Sequence, residues 1–80
     1  MIYVTLGRLR KNGYTIKYIE NPTIEEQLVA VSANGCAIQY INEPSEEIQL
    51  AAINNEADAI KYIKDPSEEI QRKAVRNKST

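Results

Sequence analysis

The chain repeats itself every 22 residues, and this period limits the possible folds more than any other feature. Prolines fall at 22, 44 and 66, and tyrosines at 18, 40 and 62. Residues 35–56 align without gaps to residues 57–78 through A-I-x-Y-I, then P-S-E-E-I-Q, then one alanine. Residues 13–34 keep the same frame through Ile16, Tyr18, Ile19, Pro22, Glu25, Gln27 and Ala30. A fragment precedes them: Val4–Leu9 is in register with Ile48–Ile53, and Asn12-Gly13 with Asn34-Gly35. The chain therefore divides into a degenerate half unit (1–12), three full units (13–34, 35–56, 57–78) and a short tail (79–80).

Each unit reads as two helices. Proline suits a first helical turn, where its missing N–H costs nothing. Asp65 followed by Glu68 is expected to form a capping box around Pro66. Glu43 is expected to be a poorer cap, and Asn21 a cap without its reciprocal Glu. The paired acids Glu25–Glu26, Glu46–Glu47 and Glu68–Glu69 suit first turns, where the helix dipole favours negative charge. Adjacent carboxylates point about 100° apart on a helix, so they do not converge on one substrate atom.

The second helix of the middle unit carries apolar residues on two sides. Ile48, Ala51, Ala52 and Asn55 cluster on one side, and Leu50 and Ile53 lie opposite. Such a helix is sandwiched between its partner, which offers Ala37, Ile38 and Ile41 with Tyr40 at the edge, and a neighbouring unit. Alanines 30, 52 and 74 allow close backbone approach. The expected fold is all-α, a small α-solenoid of about three and a half two-helix repeats, in which no unit buries its faces alone. Arg72 and Lys73 replace the apolar residues of earlier units, as an outward-facing terminal unit requires. Residues 1–19 also admit a local hairpin, because Ile2–Leu6 and Tyr14–Ile19 are β-branched and aromatic around Asn12-Gly13. The repeat register favours helix there.

The stretches Pro44–Ile53 and Asp65–Asn77 resemble short HEAT-like repeats, and are also similar to variant leucine-rich repeats of bacteria. A still nearer likeness is to a family of two-helix repeats of about 22 residues in bacteria, phages and large viruses, with units like N-G-x-A-I-x-Y-I-x-x-P-S-E-E-I-Q-L-A-A. The resemblance covers about residues 4–78. It implies a superhelix of paired helices that holds other macromolecules, and it brings no catalytic motif. The first unit departs from the pattern, with Ile24 and Glu26 exchanged in type relative to Glu46 and Ile48.

With no histidine, the chain has no Ser-His-Asp triad and no His-ligated metal. One cysteine makes no internal disulfide, which favours a cytoplasmic setting. No leader-like segment and no apolar run near 18 residues is seen, so no membrane association is expected. There is no phosphate loop or nucleotide fingerprint. Cys36 falls near a helix N-terminus, a place that lowers a thiol pKa, but no base accompanies it. No catalytic residue, cofactor, metal or small-molecule substrate is expected, and the chain is read as a non-enzyme.

The charge map is more specific. Residues 1–17 carry four bases and no acid, residues 18–60 eight acids and no Lys or Arg, and residues 61–80 six bases and three acids, which recovers the net charge of −1. A field this uneven selects partners and speeds encounter. The expected partner is another protein. The candidate contact residues are the tyrosine ladder Tyr18, Tyr40 and Tyr62, with Glu43 and Glu47 as rim charges. Inhibition or adaptation of a host protein, such as an antiviral defence component, by a phage or mobile-element product is one version of this expectation. The alternatives are nucleic-acid binding through the basic ends, or acidic mimicry of nucleic acid by residues 18–60. The first lacks a continuous phosphate track. Self-stacking of terminal units is opposed by Arg72 and Lys73.

Overall fold

The computed structural model describes residues 5–78, and every regular element among them is helical. Four α-helices, α1 (Leu6–Lys11), α2 (Ile24–Ala33), α3 (Glu46–Asn55) and α4 (Glu68–Lys78), alternate with three 3₁₀ helices, η1 (Gly13–Tyr18), η2 (Gly35–Tyr40) and η3 (Ala57–Tyr62). Leu6–Lys11 and Gly13–Tyr18 are helical on either side of an extended Asn12, as the repeat register demanded, and not a hairpin. The part of the alternative hairpin before Thr5, and the tail at 79–80, lie outside the described residues.

The first helix of each unit is 3₁₀ because its apolar residues recur every three positions. Three residues per turn puts Gly35, Ile38 and Ile41 on one edge, and all three are buried. The i→i+3 pattern is seen in Ala37 N–H donating to Asn34 O (2.8 Å) and Ile41 N–H to Ile38 O (3.0 Å). The glycine of this edge is needed for space. A Cβ on Gly35 would lie 2.5 Å from the Ala52 carbonyl oxygen, and one on Gly13 would collide with the Ala30 carbonyl. Ala30, Ala52 and Ala74 are all buried, in line with the expected close approach.

The α-helices pack in order, α1 on α2, α2 on α3 and α3 on α4, and the 3₁₀ helices do the same in a second layer. Each 3₁₀ helix also touches the α-helices on either side of it in sequence. The body measures 41 × 23 × 17 Å. The core runs along this length between the layers. Ile48, Ala52 and Ile53 of α3 are fully buried, as are Leu9, Ile16, Val31, Ala37, Ile38, Ala59 and Ile70. The two-sided α3 is thus covered on both sides, with Leu50 and Ala51 half-buried. At the far end Arg72 is exposed, but so is Val75, whose counterpart Ile53 is buried.

The helix starts differ from the expected ones. The caps are Thr23 and Ser45, whose hydroxyls accept from Glu26 N–H (3.1 Å) and Ile48 N–H (3.4 Å), and Ser67 does the same for Ile70 N–H (3.2 Å). Each proline precedes its cap instead of opening the helix. Asn21, Glu43 and Asp65 are not caps: they adopt left-handed φ values of 57°, 50° and 52°. The residue before proline is kept out of the right-handed helical region, and Asn and Asp tolerate the left-handed one. The complete capping box is in the first unit, Thr23 with Glu26, not around Asp65. That box accounts for the exchange of Ile24 and Glu26: Glu26 reaches back to Thr23 N–H (2.7 Å), and Ile24 is left exposed.

Polar residues join the units. Asn55 Nδ2 donates to Val31 O and Ser32 O (both 3.0 Å), and Asn77 Nδ2 donates to Ile53 O (2.8 Å), so each asparagine satisfies carbonyls at the end of the preceding α-helix. Asn34 Oδ1 accepts from Gly13 N–H (2.7 Å). Glu56, at the corresponding position, accepts from Cys36 N–H (3.3 Å). In the middle unit, Ile53→Ala should cost about 2–5 kcal/mol in urea unfolding as a buried large-to-small change. The exposed first-turn change Glu47→Ala should cost under about 1 kcal/mol.

Candidate functional site

The tyrosine ladder ends the three 3₁₀ helices, and each of the next residues (Ile19, Ile41, Ile63) dives back toward the core. A ring placed one residue before such an anchor stands at the rim. Tyr18, Tyr40 and Tyr62 are 54%, 42% and 39% exposed. Tyr40 packs edge-on against Tyr14, with ring centres 6.2 Å apart. Lysines lie over the rings: Lys17 Nζ is 5.2 Å from the Tyr18 centre and 5.8 Å from that of Tyr40, and Lys61 Nζ is 5.2 Å from that of Tyr62.

Two of the three tyrosines line clefts. The first, of about 360 Å³, is built by Ile19, Asn21, Pro22 and Gln27 from one unit and Tyr40, Ile41 and Asn42 from the next. The second, of about 510 Å³, is built by Ile41, Glu43, Pro44 and Gln49 with Tyr62, Ile63 and Lys64, and by Asn42 and Asp65. Every residue of the first cleft has its counterpart, 22 positions on, in the second. Ile41 and Asn42 line both, so the two clefts adjoin across the second turn. Their floors are held by side-chain clamps: Gln27 Nε2 donates to Pro22 O (3.0 Å) and Gln49 Nε2 to Pro44 O (2.9 Å), and Gln71 repeats this with Pro66 O (3.0 Å).

The candidate residues are thus only partly assembled. Tyr40, Tyr62 and Glu43 come together in the paired clefts. Tyr18 lines a separate depression with Asn12, Tyr14, Thr15 and Lys17. Glu47 is exposed and outside both clefts. The prolines and glutamines of the floor were overlooked as site residues, although Gln follows Pro by five positions in all three units.

The acids gather on this edge of the molecule. Nine of the eleven lie in the turns and first helical turns at 20–26, 42–47 and 64–69, against one base there, Lys64. The ion pair Arg72–Glu68 (2.6 Å) is the only one among the described residues. No group of three or more His, Cys, Asp or Glu among them is placed to hold a metal ion, and no helix among them is long and apolar enough to cross a membrane.

Cys36 is in the first turn of η2, and its environment reverses the expectation of a lowered thiol pKa. Burial pushes the thiol up, and the Glu56 carboxylate adds to this by its charge and by accepting from Sγ at 3.7 Å. No family model, no curated protein and no solved structure matches the chain. Iodoacetamide at pH 8 should alkylate Cys36 more slowly than a free cysteine, and Glu56→Gln should speed the reaction, as read by mass spectrometry. The fold favours the protonated thiol. Its contribution is present below the ordinary pKa of 9.0 and is lost as the pH rises through the higher folded value, a loss that Cys36→Ala should remove from a pH series of melts.

Proposed function

We propose that the chain is a small α-solenoid of about three and a half two-helix repeats, and that it works as a non-enzymatic protein-binding module. The observation that carries this reading is the pair of adjoining clefts repeated in 22-residue register, each with a half-exposed tyrosine, an isoleucine and a proline. Tyrosine offers large contact area with few rotors and is enriched at the energetic centre of interfaces. The ordered packing of α1 to α4, with the 3₁₀ helices as a second layer, supports the solenoid. The resemblance to two-helix repeats of bacteria, phages and large viruses supports the same architecture. Within this reading, a phage or mobile-element protein that inhibits or adapts a host protein, such as an antiviral defence component, is the specific version we favour. Its setting is the cytoplasm.

Copurification from host lysate, with and without nuclease, tests the class of partner. A stoichiometric protein that survives nuclease fits the proposal, and a nucleic acid released by salt overturns it. Tyr40→Ala then tests the site. The change removes an edge-on aromatic contact worth about 0.5–1.5 kcal/mol, so the melting point should fall by a few degrees. Binding per folded molecule should fall by roughly tenfold or more. A lowered melt with unchanged affinity would show that the ladder is structural and the binding face lies elsewhere. Glu43→Lys should slow association and blunt its salt dependence, and Glu47→Lys should do so less, being outside the clefts.

A further inference from the structure

We propose that the paired clefts take a polyproline-II segment of a partner protein that carries Lys or Arg at every third residue, a proposal that rests on the protein-binding reading above. Three observations point to this ligand: the spacing of the clefts, the nature of their walls, and the charge around them.

The spacing comes first. Equivalent points in the two clefts are one unit apart, and units of packed helices are separated by about 8–10 Å. A polyproline-II helix rises about 3.1 Å per residue and completes a turn in three. Residues i and i+3 therefore leave the same face about 9 Å apart, within the general range of about 8–10 Å for a step between packed helices. A β-strand does not fit as well. Its same-face residues are about 6.6 Å apart, and its residues i and i+3 point to opposite sides.

The walls have the chemistry of such a site. Tyr40 with Pro22, and Tyr62 with Pro44, give each cleft an aromatic and a ring-shaped apolar surface. Aromatic-lined grooves are the recurring receptors for polyproline-II segments, because the ligand is already extended and loses little entropy. The Pro22 and Pro44 carbonyls are occupied by Gln27 and Gln49, so the floor is rigid and does not compete for the ligand.

The charge selects the third residue. The first cleft lies wholly within the stretch that lacks Lys and Arg, and the second is lined by two acids, Glu43 and Asp65, against one base, Lys64. Exposed Glu20, Glu25 and Glu46 stand in the flanking turns and first helical turns. The tyrosine rings already receive cations from within the chain, Lys17 over Tyr40 and Lys61 over Tyr62, and neither lysine lines a cleft. A ligand guanidinium or ammonium would find Tyr62 with Glu43 and Asp65 in the second cleft, and at the neighbouring step Tyr40 beside a turn whose acids flank the first. An acidic proline-rich segment would meet Lys64 but also the more numerous acids of this edge, and a neutral one would have no charge to fix its register.

Fluorescence anisotropy with labelled synthetic peptides tests this. The probe is (Pro-Pro-Arg)₄. Its controls are (Gly-Gly-Arg)₄, with the same charge and spacing but no preformed helix, (Pro-Arg)₄, with the charges every second residue, and (Pro-Pro-Glu)₄. The probe should bind, the two other arginine peptides should bind at least about tenfold more weakly, and the glutamate peptide should not bind. Tyr40→Ala and Tyr62→Ala, each checked for helicity, should both weaken the probe roughly tenfold or more. Glu43→Gln should weaken it about threefold, and Glu69→Gln, outside the clefts, less than about twofold. Equal binding of (Gly-Gly-Arg)₄ and the probe, indifference to both tyrosine changes in folded protein, or no binding of the probe would each overturn the inference. If the probe fails while a protein partner from lysate is still lost with Tyr40→Ala, the ligand chemistry is wrong and the protein-binding reading stands. If neither binds, both fall.

Discussion

The structure depends on the seating of a glycine edge against an α-helical backbone. Gly13 faces the Ala30 carbonyl and Gly35 the Ala52 carbonyl, at distances that leave no room for a methyl group. This contact sets how far the 3₁₀ layer stands from the α layer. With the layers this close, Ile16, Ile38, Val31 and Ile53 meet without residual exposure. A wider gap would leave the same isoleucines under-packed, because interiors are as dense as organic crystals and voids forfeit contact energy. The third unit puts Ala57 in the glycine slot, and Ala57 and Ile60 there are half-buried, not buried.

The hydrogen bonds between units add direction to this packing. An apolar sandwich of helices can slide along its own axis at little cost. The asparagines at 55 and 77 remove that freedom, since each must find carbonyls 23 or 24 residues back. Ser67 makes a similar tie at the other end of the helices, donating to Glu46 (3.0 Å). Bonds between like ends show that α2, α3 and α4 run parallel. The clefts inherit their regularity from this: they are alike because the helices that frame them cannot shift in register.

Much of this was legible in the residues, and the misses have physical causes. The 22-residue period marked the units, and the apolar pattern located Ala37, Ile38, Ile41, Ile48, Ala52 and Ile53, all of which are buried. The 3₁₀ geometry is not legible in the pattern alone, because a six-residue segment is too short to separate a period of three from one of 3.6. The caps were placed two residues early because Pro-first-turn is the commoner arrangement, and a left-handed residue before proline is visible only in the backbone angles. The ladder was identified, but its division into two cleft tyrosines and one isolated tyrosine was not. Tyr18 shares its depression with Asn12 and with residues of its own 3₁₀ helix, and this is a matter of unit order in space. The glutamine clamps left a clear trace in all three units, but their meaning needed the proline carbonyls they reach.

The parallel run of α2 to α4 has a consequence for approach from a distance. Aligned helices each present about half a positive charge at their N-terminal ends, so three would make this edge weakly attractive to anions. The nine acids set there outweigh that by several charges and reverse its sign. The molecule therefore carries a transverse electric moment across its short dimension, fixed by side chains against the sense of its backbone. At about 0.1–0.15 M salt a cationic body would exert a torque before it makes contact, turning the protein so that the tyrosine edge leads. Orientation would then be settled within a Debye length of about 8–10 Å, and the last step of docking would be a short translation along the row of clefts.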